Sequence, residues 1–454
     1  MDKKCVEYIQ GLNNEKVSVR LNYLRKLKEC IAKKDYQELV KDGGIEERAN
    51  FFDADENNQE FVKRGDINNH IHTFYSFSPY SPSKAVWIAY NSGLKTAGIM
   101  DHDSMAGARE FIEAANIIGI ASTIGIECRA DFSKTQLKGK FINNPDQPSI
   151  AYVALHGIPH TQIDRVDKFF EPLRIERNLR NKKMMNKINE VIRQFDMNLD
   201  FDEDVIPLSK SCEGGSITER HLLFALAGKI VERFPKGHPV IDFLENKLHI
   251  KITSSNRKYL EDKNNEFYEY DLLGALKGEF VSKFYVNADK ECPDVEAVVS
   301  LGSETGAVLA YAYLGDVENS VTGDKKAQKF EDDYIELLFE VLKELSFNAV
   351  TYMPSRNTLL QLRRVKSLCH KYNFFQISGE DINSPRQPFV CTKMRSSEFD
   401  NLWDSTWALI GHEKAGTREK ASAMFSEDTV RRYPDINKRI KVYKDIGLKK
   451  NNDW

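Results

Sequence analysis

After residue 65 the chain alternates between short apolar runs and amphipathic segments. The apolar runs have the length and flanking residues of buried strands, and the segments between several of them have helical periodicity. One helix is marked clearly over residues 82–91, because Ser81 is a good N-cap and Pro82 fits the first turn. The pattern predicts seven strands, beginning near Ile67, Thr96, Ala121, Ile150, Ala307, Ala349 and Phe374.

The remaining segments lack this strand rhythm and favour helices. Apolar residues recur at helical spacing in the first of them, at Val17, Leu21, Leu24, Leu27 and Ile31. The sequence therefore predicts an α/β protein with five regions along the chain. They are a helical N-terminal extension (1–62), a first α/β part (65–160), a mostly helical insertion (161–300), a second α/β part (301–390) and a helical tail (391–454).

Composition narrows the classes of function. The 454 residues include 65 Lys and Arg against 68 Asp and Glu, a balance that gives no support to nucleic-acid binding or a membrane surface. No apolar run is long enough to span a bilayer, and the first residues lack the apolar region of a signal peptide. The seven cysteines are scattered, without a Cys-x-x-Cys pair, as expected for reduced thiols. We expect a soluble cytoplasmic protein and leave its oligomeric state open.

Polar clusters follow or end three of the predicted strands, at residues 66–73, 100–103 and 124–127. His70 and His72 are two residues apart in a strand, so both imidazoles point to one face. Two imidazoles with a nearby carboxylate suit zinc, manganese or iron. These clusters predict a metal site, because the carboxyl ends of strands in successive βα units share one edge of a barrel or sheet.

These clusters resemble the motifs of the PHP family, named for polymerase and histidinol phosphatase. The resemblance rests on His-x-His-Thr at 70–73, the helix start at 81–82, Asp-His-Asp at 101–103 and Gly-Ile-Glu at 125–127. Segments 307–313, 349–354 and 377–383 resemble the last three strands of the family. The resemblance covers most of residues 65–390, interrupted by the insertion. It implies a distorted seven-stranded (β/α) barrel of PHP type with a large helical insertion and helical extensions at both ends.

The resemblance also implies a metal-ligand set. By position in the motifs, His70, His72, Glu127 and Asp381 would bind one divalent metal, which is zinc, manganese or iron. His102 keeps the histidine of the Asp-His-Asp motif and is a further candidate ligand. Mixed histidine and carboxylate ligation leaves room for a water whose pKa the metal lowers toward neutrality.

The other ligand positions of the family are altered in this chain. Typical members bind two or three metals, but Phe77 falls near a position that is usually His or Asp. Tyr152 aligns with another ligand, with His156 nearby as a substitute. Tyr311 and Asn383 stand where the family usually has histidine. We treat Tyr152, His156, Tyr311 and Asn383 as candidate additional metal or substrate ligands.

Further residues are candidates for phosphate binding and proton transfer. Arg220 and Arg356 are predicted to bind substrate phosphate, with His221 as a possible additional ligand beside Arg220. Asp101 and Asp103 are predicted to orient the ligand imidazoles or to accept protons. In isolation, the helical arginines are better interpreted as part of a solvated charged face; they are Arg174, Arg177 and Arg180.

Two functions remain open from the sequence. The resemblance implies a metal-dependent phosphoesterase that hydrolyses a phosphorylated metabolite or a nucleotide end through a metal-activated water. The partner would then be a small-molecule phosphoester; nucleic acid stays open as an alternative, although the charge balance gives it no support. The alternative is a degenerate PHP barrel that acts as a non-catalytic ligand-binding or regulatory module, because several ligand positions are altered.

Overall fold

The structure is a computed structural model that describes residues 3–32, 64–316 and 331–449. Its strands are β1 Asp66–Ile71, β2 Leu94–His102, β3 Ala121–Asp131, β4 Ile150–His156, β5 Val308–Ala312, β6 Ala349–Tyr352, β7 Phe375–Ser378 and β8 Asp381–Ile382. Its α-helices are α1 Lys3–Gly11, α2 Val17–Ala32, α3 Pro82–Asn91, α4 Ala108–Ile118, α5 Ile163–Ile192, α6 Glu219–Arg233, α7 His238–Asp242, α8 Ser254–Glu261, α9 Tyr268–Phe284, α10 Val295–Thr305, α11 Ile335–Glu344, α12 Leu359–Tyr372, α13 Asp400–Arg418, α14 Glu427–Arg432 and α15 Ile436–Leu448.

The described strands form one curled sheet in the order β7-β6-β5-β4-β3-β2-β1-β8. Because β8 follows β7 after only Gly379 and Glu380 and pairs in parallel with β1, the two ends of the sheet approach each other. The predicted α/β fold is confirmed. The predicted number of strands is wrong by one, because β8 has only two residues and is too short for a hydrophobic pattern to reveal.

The fourth strand differs from the predicted βα-type unit. No α-helix lies between β3 and β4, and β4 runs antiparallel to both β3 and β5, whereas the other neighbouring strands are parallel. The amino end of β4 therefore lies beside the carboxyl end of β3. A second prediction is also wrong, because β3 continues to Asp131 and Glu127 lies inside the strand rather than at its end.

The inner faces of β5, β6 and β7 pack against the C-terminal helices. Val308, Ala349 and Phe375 share an apolar cluster with Ala408 and Leu409 of α13. Polar contacts fix the same helix to other strands, because Asn69 of β1 donates to Thr406 at 2.8 Å and Thr123 of β3 donates to Glu413 at 2.7 Å. Helix α13 therefore closes one end of the barrel.

Helices α13 and α15 cross at two glycines. A Cβ atom added at Gly411 would lie 1.8 Å from the carbonyl oxygen of Tyr443, and one added at Gly447 would lie 2.0 Å from that of Trp407. No side chain fits between the two backbones, so both positions require glycine. This contact holds α15 on the helix that closes the barrel.

The chain between β4 and β5 has its own apolar core, built mainly from α5, α6 and α9. Phe77, from the loop after β1, also belongs to this core and is 7 % exposed. The helical segment therefore packs beside the end of β1 that carries the histidines.

Two further observations concern membrane-spanning helices and disulfide bonds. No helix among the described residues combines the length and apolar character needed to cross a membrane. All seven cysteines lie within the described residues and none forms a disulfide.

Helices α1 and α2, within the predicted N-terminal extension, dock on the barrel through a buried ion pair; residues 33–62 of that extension lie outside the described residues. Arg20 of α2 is fully buried and contacts Glu110 of α4, with an Nε–Oε1 distance of 2.8 Å. Glu110 also accepts hydrogen bonds from the backbone and side chain of Ser83, at 3.1 and 2.7 Å. The docking therefore depends on the Arg20–Glu110 ion pair, because the buried carboxylate of Glu110 needs a cationic partner.

We expect Arg20→Ala to lower the free energy of unfolding by about 3–5 kcal/mol, since it strands the buried carboxylate of Glu110. Arg25→Ala is the matched control, because Arg25 and Glu113 form a pair in which both side chains are about half exposed. The control should cost less than about 1 kcal/mol. Urea unfolding measures both values, and equal losses in the two variants would contradict the expectation.

Candidate metal centre

The two histidines of the first motif lie at the carboxyl end of β1, next to a strand irregularity. The parallel register with β2 shifts between Asn68 and Ile71, and the backbone N–H of His70 donates to the side chain of Asn68 at 2.8 Å. Such irregularities re-aim side chains beside functional sites. The rings of His70 and His72 are both buried, and their centroids are 5.0 Å apart.

Glu127 completes a compact donor set with these histidines. Candidate ligand atoms of His70, His72 and Glu127 all lie within 4.8 Å of one another, and His70 Nε2 is 3.8 Å from Glu127 Oε2. Glu127 reaches this point because it pairs with His102 across β2 and β3. One point is therefore surrounded by two imidazoles and a carboxylate.

Two further predicted ligands flank this set. Asp381 of β8 pairs with His70 in the sheet, and its Oδ1 is 3.3 Å from His72 Nε2. On the other side, His102 Nδ1 is 3.1 Å from Glu127 Oε2. The structure therefore brings together all five residues predicted to bind metal: His70, His72, His102, Glu127 and Asp381.

The residues present fit a divalent metal. Both ring nitrogens of His70 and the Nε2 of His72 are buried without a hydrogen-bond partner, a costly state that a cation would relieve. Burial lowers the pKa of His70 to about 4 and holds that of His102 well below its usual value. Both rings are therefore neutral near pH 7, as metal ligation requires.

His72 and Asp381 form a coupled pair. Burial alone would lower the pKa of His72 and raise that of Asp381, but their mutual attraction reverses both shifts. The charges of His70 and Arg220 add to the effect of His72 and help to hold the pKa of Asp381 well below its usual range. Asp381 is therefore an ionised carboxylate at the edge of the donor set, and its side chain is 32 % exposed.

Asp101 orients His72 through a neighbouring serine. Its carboxylate accepts hydrogen bonds from the backbone and hydroxyl of Thr73, at 2.7 and 2.6 Å, and from Ser76 Oγ at 2.7 Å. Ser76 Oγ lies 3.2 Å from His72 Nδ1. The chain Asp101–Ser76–His72 fixes the imidazole so that Nε2 faces the donor set. Sequence reasoning gave no role to the side chain of Thr73, the last residue of the motif, or to Ser76, three residues beyond it.

Asp103 has a different environment. It has φ 50°, a left-handed backbone conformation that is uncommon outside glycine and concentrates at functional sites. Its Oδ2 is 2.7 Å from Arg177 Nη2, and its carbonyl accepts from Arg174 at 2.8 Å. Asp103 is therefore held by the helical segment between β4 and β5.

The helical arginines form a buried ionic network instead of the solvated face interpreted from the sequence. Arg177 and Arg180 are 3 % and 5 % exposed, because the helical segment turns this side of α5 toward the barrel. Arg180 binds Glu291 at 2.8 Å and Glu219 at 2.6 Å, and Arg129 of β3 also contacts both glutamates. The sequence did give one sign of this network, because Arg129 lies two residues after Glu127 and so shares its strand face. No sequence pattern pointed to Glu291.

Arg220 lies in the first turn of helix α6, at the rim of the centre. It is partly exposed, and its guanidinium lies 6.0 Å from the centroid of the Phe77 ring. Its charge reaches Asp381, yet it makes no ion pair or hydrogen bond within the described residues. The adjacent His221 caps the helix, since its Nδ1 accepts from the backbone of Thr218 at 3.0 Å, and its ring meets Phe77 edge-on.

Strand β4 presents two candidate residues to the barrel interior at different depths. Tyr152 pairs with Arg129 near the carboxyl end of β3, and its ring centroid is 6.2 Å from that of His102. His156 pairs with Gly125, farther from that end. It is buried with both ring nitrogens unpartnered, and burial, together with His70, lowers its pKa to about 3.

The remaining candidates lie apart from the donor set or hold its ligands. Tyr311 is opposite Val153, on the other face of the sheet, and its hydroxyl donates to Glu331. Arg356 donates from Nε to the carbonyl of Leu314 at 3.0 Å. Asn383 donates to both carboxylate oxygens of Asp381, at 2.9 and 2.8 Å, so it positions that ligand.

Loss of the Ser76 hydroxyl should weaken metal binding. We expect Ser76→Ala to raise the Kd for Mn²⁺ or Zn²⁺ by about 10- to 100-fold, because His72 loses the group that orients it. Ser78→Ala is the matched control, since the buried Ser78 hydroxyl has no hydrogen-bond partner in the described part of the chain. Isothermal titration of chelator-stripped protein measures both; an unchanged Kd in Ser76→Ala would reject this role.

We expect His72→Ala to reduce the metal content of protein purified without chelator to background. The substitution removes a ligand from the centre of the donor set and leaves the carboxylates less well paired. His160→Ala should keep its metal, because His160 binds Glu413 of α13, at 2.8 Å, away from this set. Elemental analysis gives the result, and full metal content in His72→Ala would place the metal elsewhere.

Comparison with known proteins identifies the family of this chain. The model of the PHP domain family matches residues 68–347, more than half of the chain. A search of curated proteins gave no match. Among solved structures, a proposed metal-dependent phosphoesterase from Bifidobacterium adolescentis is similar, with 20 % identity and a TM-score of 0.47 over 70 % of this chain and 87 % of that chain. An amidohydrolase from Chromobacterium violaceum is similar too, with 14 % identity and a TM-score of 0.47 over 71 % of this chain and 89 % of that chain. The family match confirms the resemblance seen in the motifs, and this chain belongs to the PHP domain family.

Proposed function

We propose that this protein is a metal-dependent phosphoesterase that hydrolyses a phosphorylated metabolite or a nucleotide end. One observation carries the proposal: Arg220, an arginine without an ionic partner among the described residues, stands at the rim of a donor set suited to a divalent metal. The combination matches the two needs of phosphoester hydrolysis, a Lewis acid and a cationic group for the phosphate.

His70, His72 and Glu127 would hold the metal, with Asp381 beside them. A divalent metal at such a set supplies a Lewis acid and lowers the pKa of water toward neutrality. The chain's own part is to keep the imidazoles of His70 and His102 neutral by burial and to fix His72 through Ser76. Asp101 serves this positioning, since three hydrogen bonds already occupy its carboxylate.

Arg220 is the best candidate for binding the substrate phosphate. The other arginines near the centre are already neutralised, because Arg129, Arg177 and Arg180 contact Asp103, Glu219 and Glu291. A guanidinium can give two parallel hydrogen bonds to a phosphate, and Arg220 is exposed enough to meet one. Asp103 is then a positioning residue that holds Arg177, and a role for Arg356 in substrate binding stays a prediction.

The competing function, a non-catalytic binding or regulatory barrel, is favoured by the altered ligand positions. Phe77 has no donor atom, and Asn383 is bound to Asp381. These changes leave the His70, His72 and Glu127 set intact, so we favour the enzyme. Turnover that depends on metal separates the two functions.

The test is hydrolysis of p-nitrophenyl phosphate and of nucleoside monophosphates by metal-loaded protein. We expect chelation to abolish turnover and re-added metal to restore it. Arg220→Ala should lower kcat/KM by about 10- to 100-fold, the contribution of a charge-assisted hydrogen bond, and Arg220→Lys should recover part of it. Arg109→Ala, which removes an exposed arginine paired with Asp164, is the control and should keep full activity. Turnover that is absent, or that survives chelation, would reject the enzyme.

A further inference from the structure

The donor atoms near the centre are enough for one metal ion. Among the described residues, only His70, His72 and Glu127 form a group of three or more ligating side chains around one point. Protein metal sites generally use three or four such ligands. A second ion would have to draw its ligands from what surrounds this group.

The residue four positions after the first motif, Phe77, offers no metal ligand. Phe77 occupies that position and is 7 % exposed. Its ring packs edge-on against His221 and Phe224, at centroid distances of 5.0 and 5.8 Å. The side of the centre that faces the helical segment is therefore lined by the apolar ring of Phe77.

The strands on the far side of the centre offer little more. Tyr152 is a partly buried phenol, and a neutral phenol binds divalent metals poorly. In β5, Ala310 pairs with Ala154, on the face shared with Glu127, whereas Tyr311 lies on the other face. The residue of β5 beside Ala154 on the interior face is therefore Ala310, whose side chain has no atom that could bind a metal.

Two of the remaining candidates are already engaged, and the third, His156, pairs with Gly125, farther from the carboxyl end of β3 than Glu127. The amide of Asn383 donates to both oxygens of Asp381, which leaves this carboxylate oriented toward His72. His102 Nδ1 is directed at Glu127. One imidazole and a shared carboxylate are too few to hold a second ion firmly.

Charge at the centre is supplied in another way. One divalent ion neutralises Glu127 and Asp381, so a phosphate dianion would need a further cation. Arg220 provides it, because its guanidinium lies against the ring of Phe77 and makes no ion pair or hydrogen bond with any described residue. We infer that this PHP centre holds a single metal ion per chain, with Arg220 in place of a second cation; the role given to Arg220 rests on the proposed function.

The experiment counts metal on the full chain. Chelator-stripped protein is titrated with Mn²⁺, and bound metal is measured by elemental analysis after dialysis and by electron paramagnetic resonance. We expect one equivalent with the spectrum of an isolated ion. The count should stay at one in Tyr152→Phe, His102→Asn and Arg220→Ala, and fall to background in His72→Ala. Inorganic phosphate should bind the loaded wild type and bind Arg220→Ala about 10- to 100-fold more weakly.

A second tightly held equivalent, a spin-coupled signal, or loss of an equivalent in Tyr152→Phe or His102→Asn would overturn the single-ion centre. Equal phosphate affinity in wild type and Arg220→Ala would overturn the role of Arg220. These results are separate from the fate of the proposed function. Two ions with metal-dependent turnover would reject only this inference, whereas one ion without turnover would support the count and reject the phosphoesterase.

Discussion

The pairing of the two-residue strand β8 with β1 sets Asp381 opposite His70 and within 3.3 Å of His72, and the centre depends on this contact. Burial disfavours a charged imidazole, which is why the pKa of His70 falls to about 4. Two buried imidazoles facing only hydrocarbon would be costly, and the carboxylates on either side reduce that cost. The same pairing brings the ends of the sheet together, so the closure of the sheet and the position of Asp381 depend on one strand contact.

The helical segment between β4 and β5 is joined to this centre by charge as well as by apolar packing. Arg177 of α5 binds Asp103, and Glu291 links Arg129 of the barrel to Arg180 of the same helix. Breaking one partner of such a buried network leaves an uncompensated charge and costs several kcal/mol. The helical segment that carries Arg220 is therefore held firmly against the barrel, as the role proposed for Arg220 requires.

The two ends of the barrel have different roles. Helix α13 closes one end, where Leu409 packs inside and Glu413 accepts from Thr123. At the other end, the side chains of His102 and Asp381 are 23 % and 32 % exposed. The centre is therefore accessible from the end that carries Arg220, and the candidate ligands His70 and His72 lie deeper, in a region of low solvent access.

The sequence by itself determined the local part of this protein. Side chains alternate along a strand, so the spacing of His70 and His72 placed both rings together, and the motifs led to Glu127, Asp381 and the family. Tertiary structure decided what depends on pairing between distant segments. The antiparallel direction of β4 set the depth of its candidate ligands, and the register of β5 turned Tyr311 away from the site. The partners of Arg177 lie about 70 and 110 residues from it along the chain, on elements that only folding brings into contact, so no local pattern could show that its charge is buried.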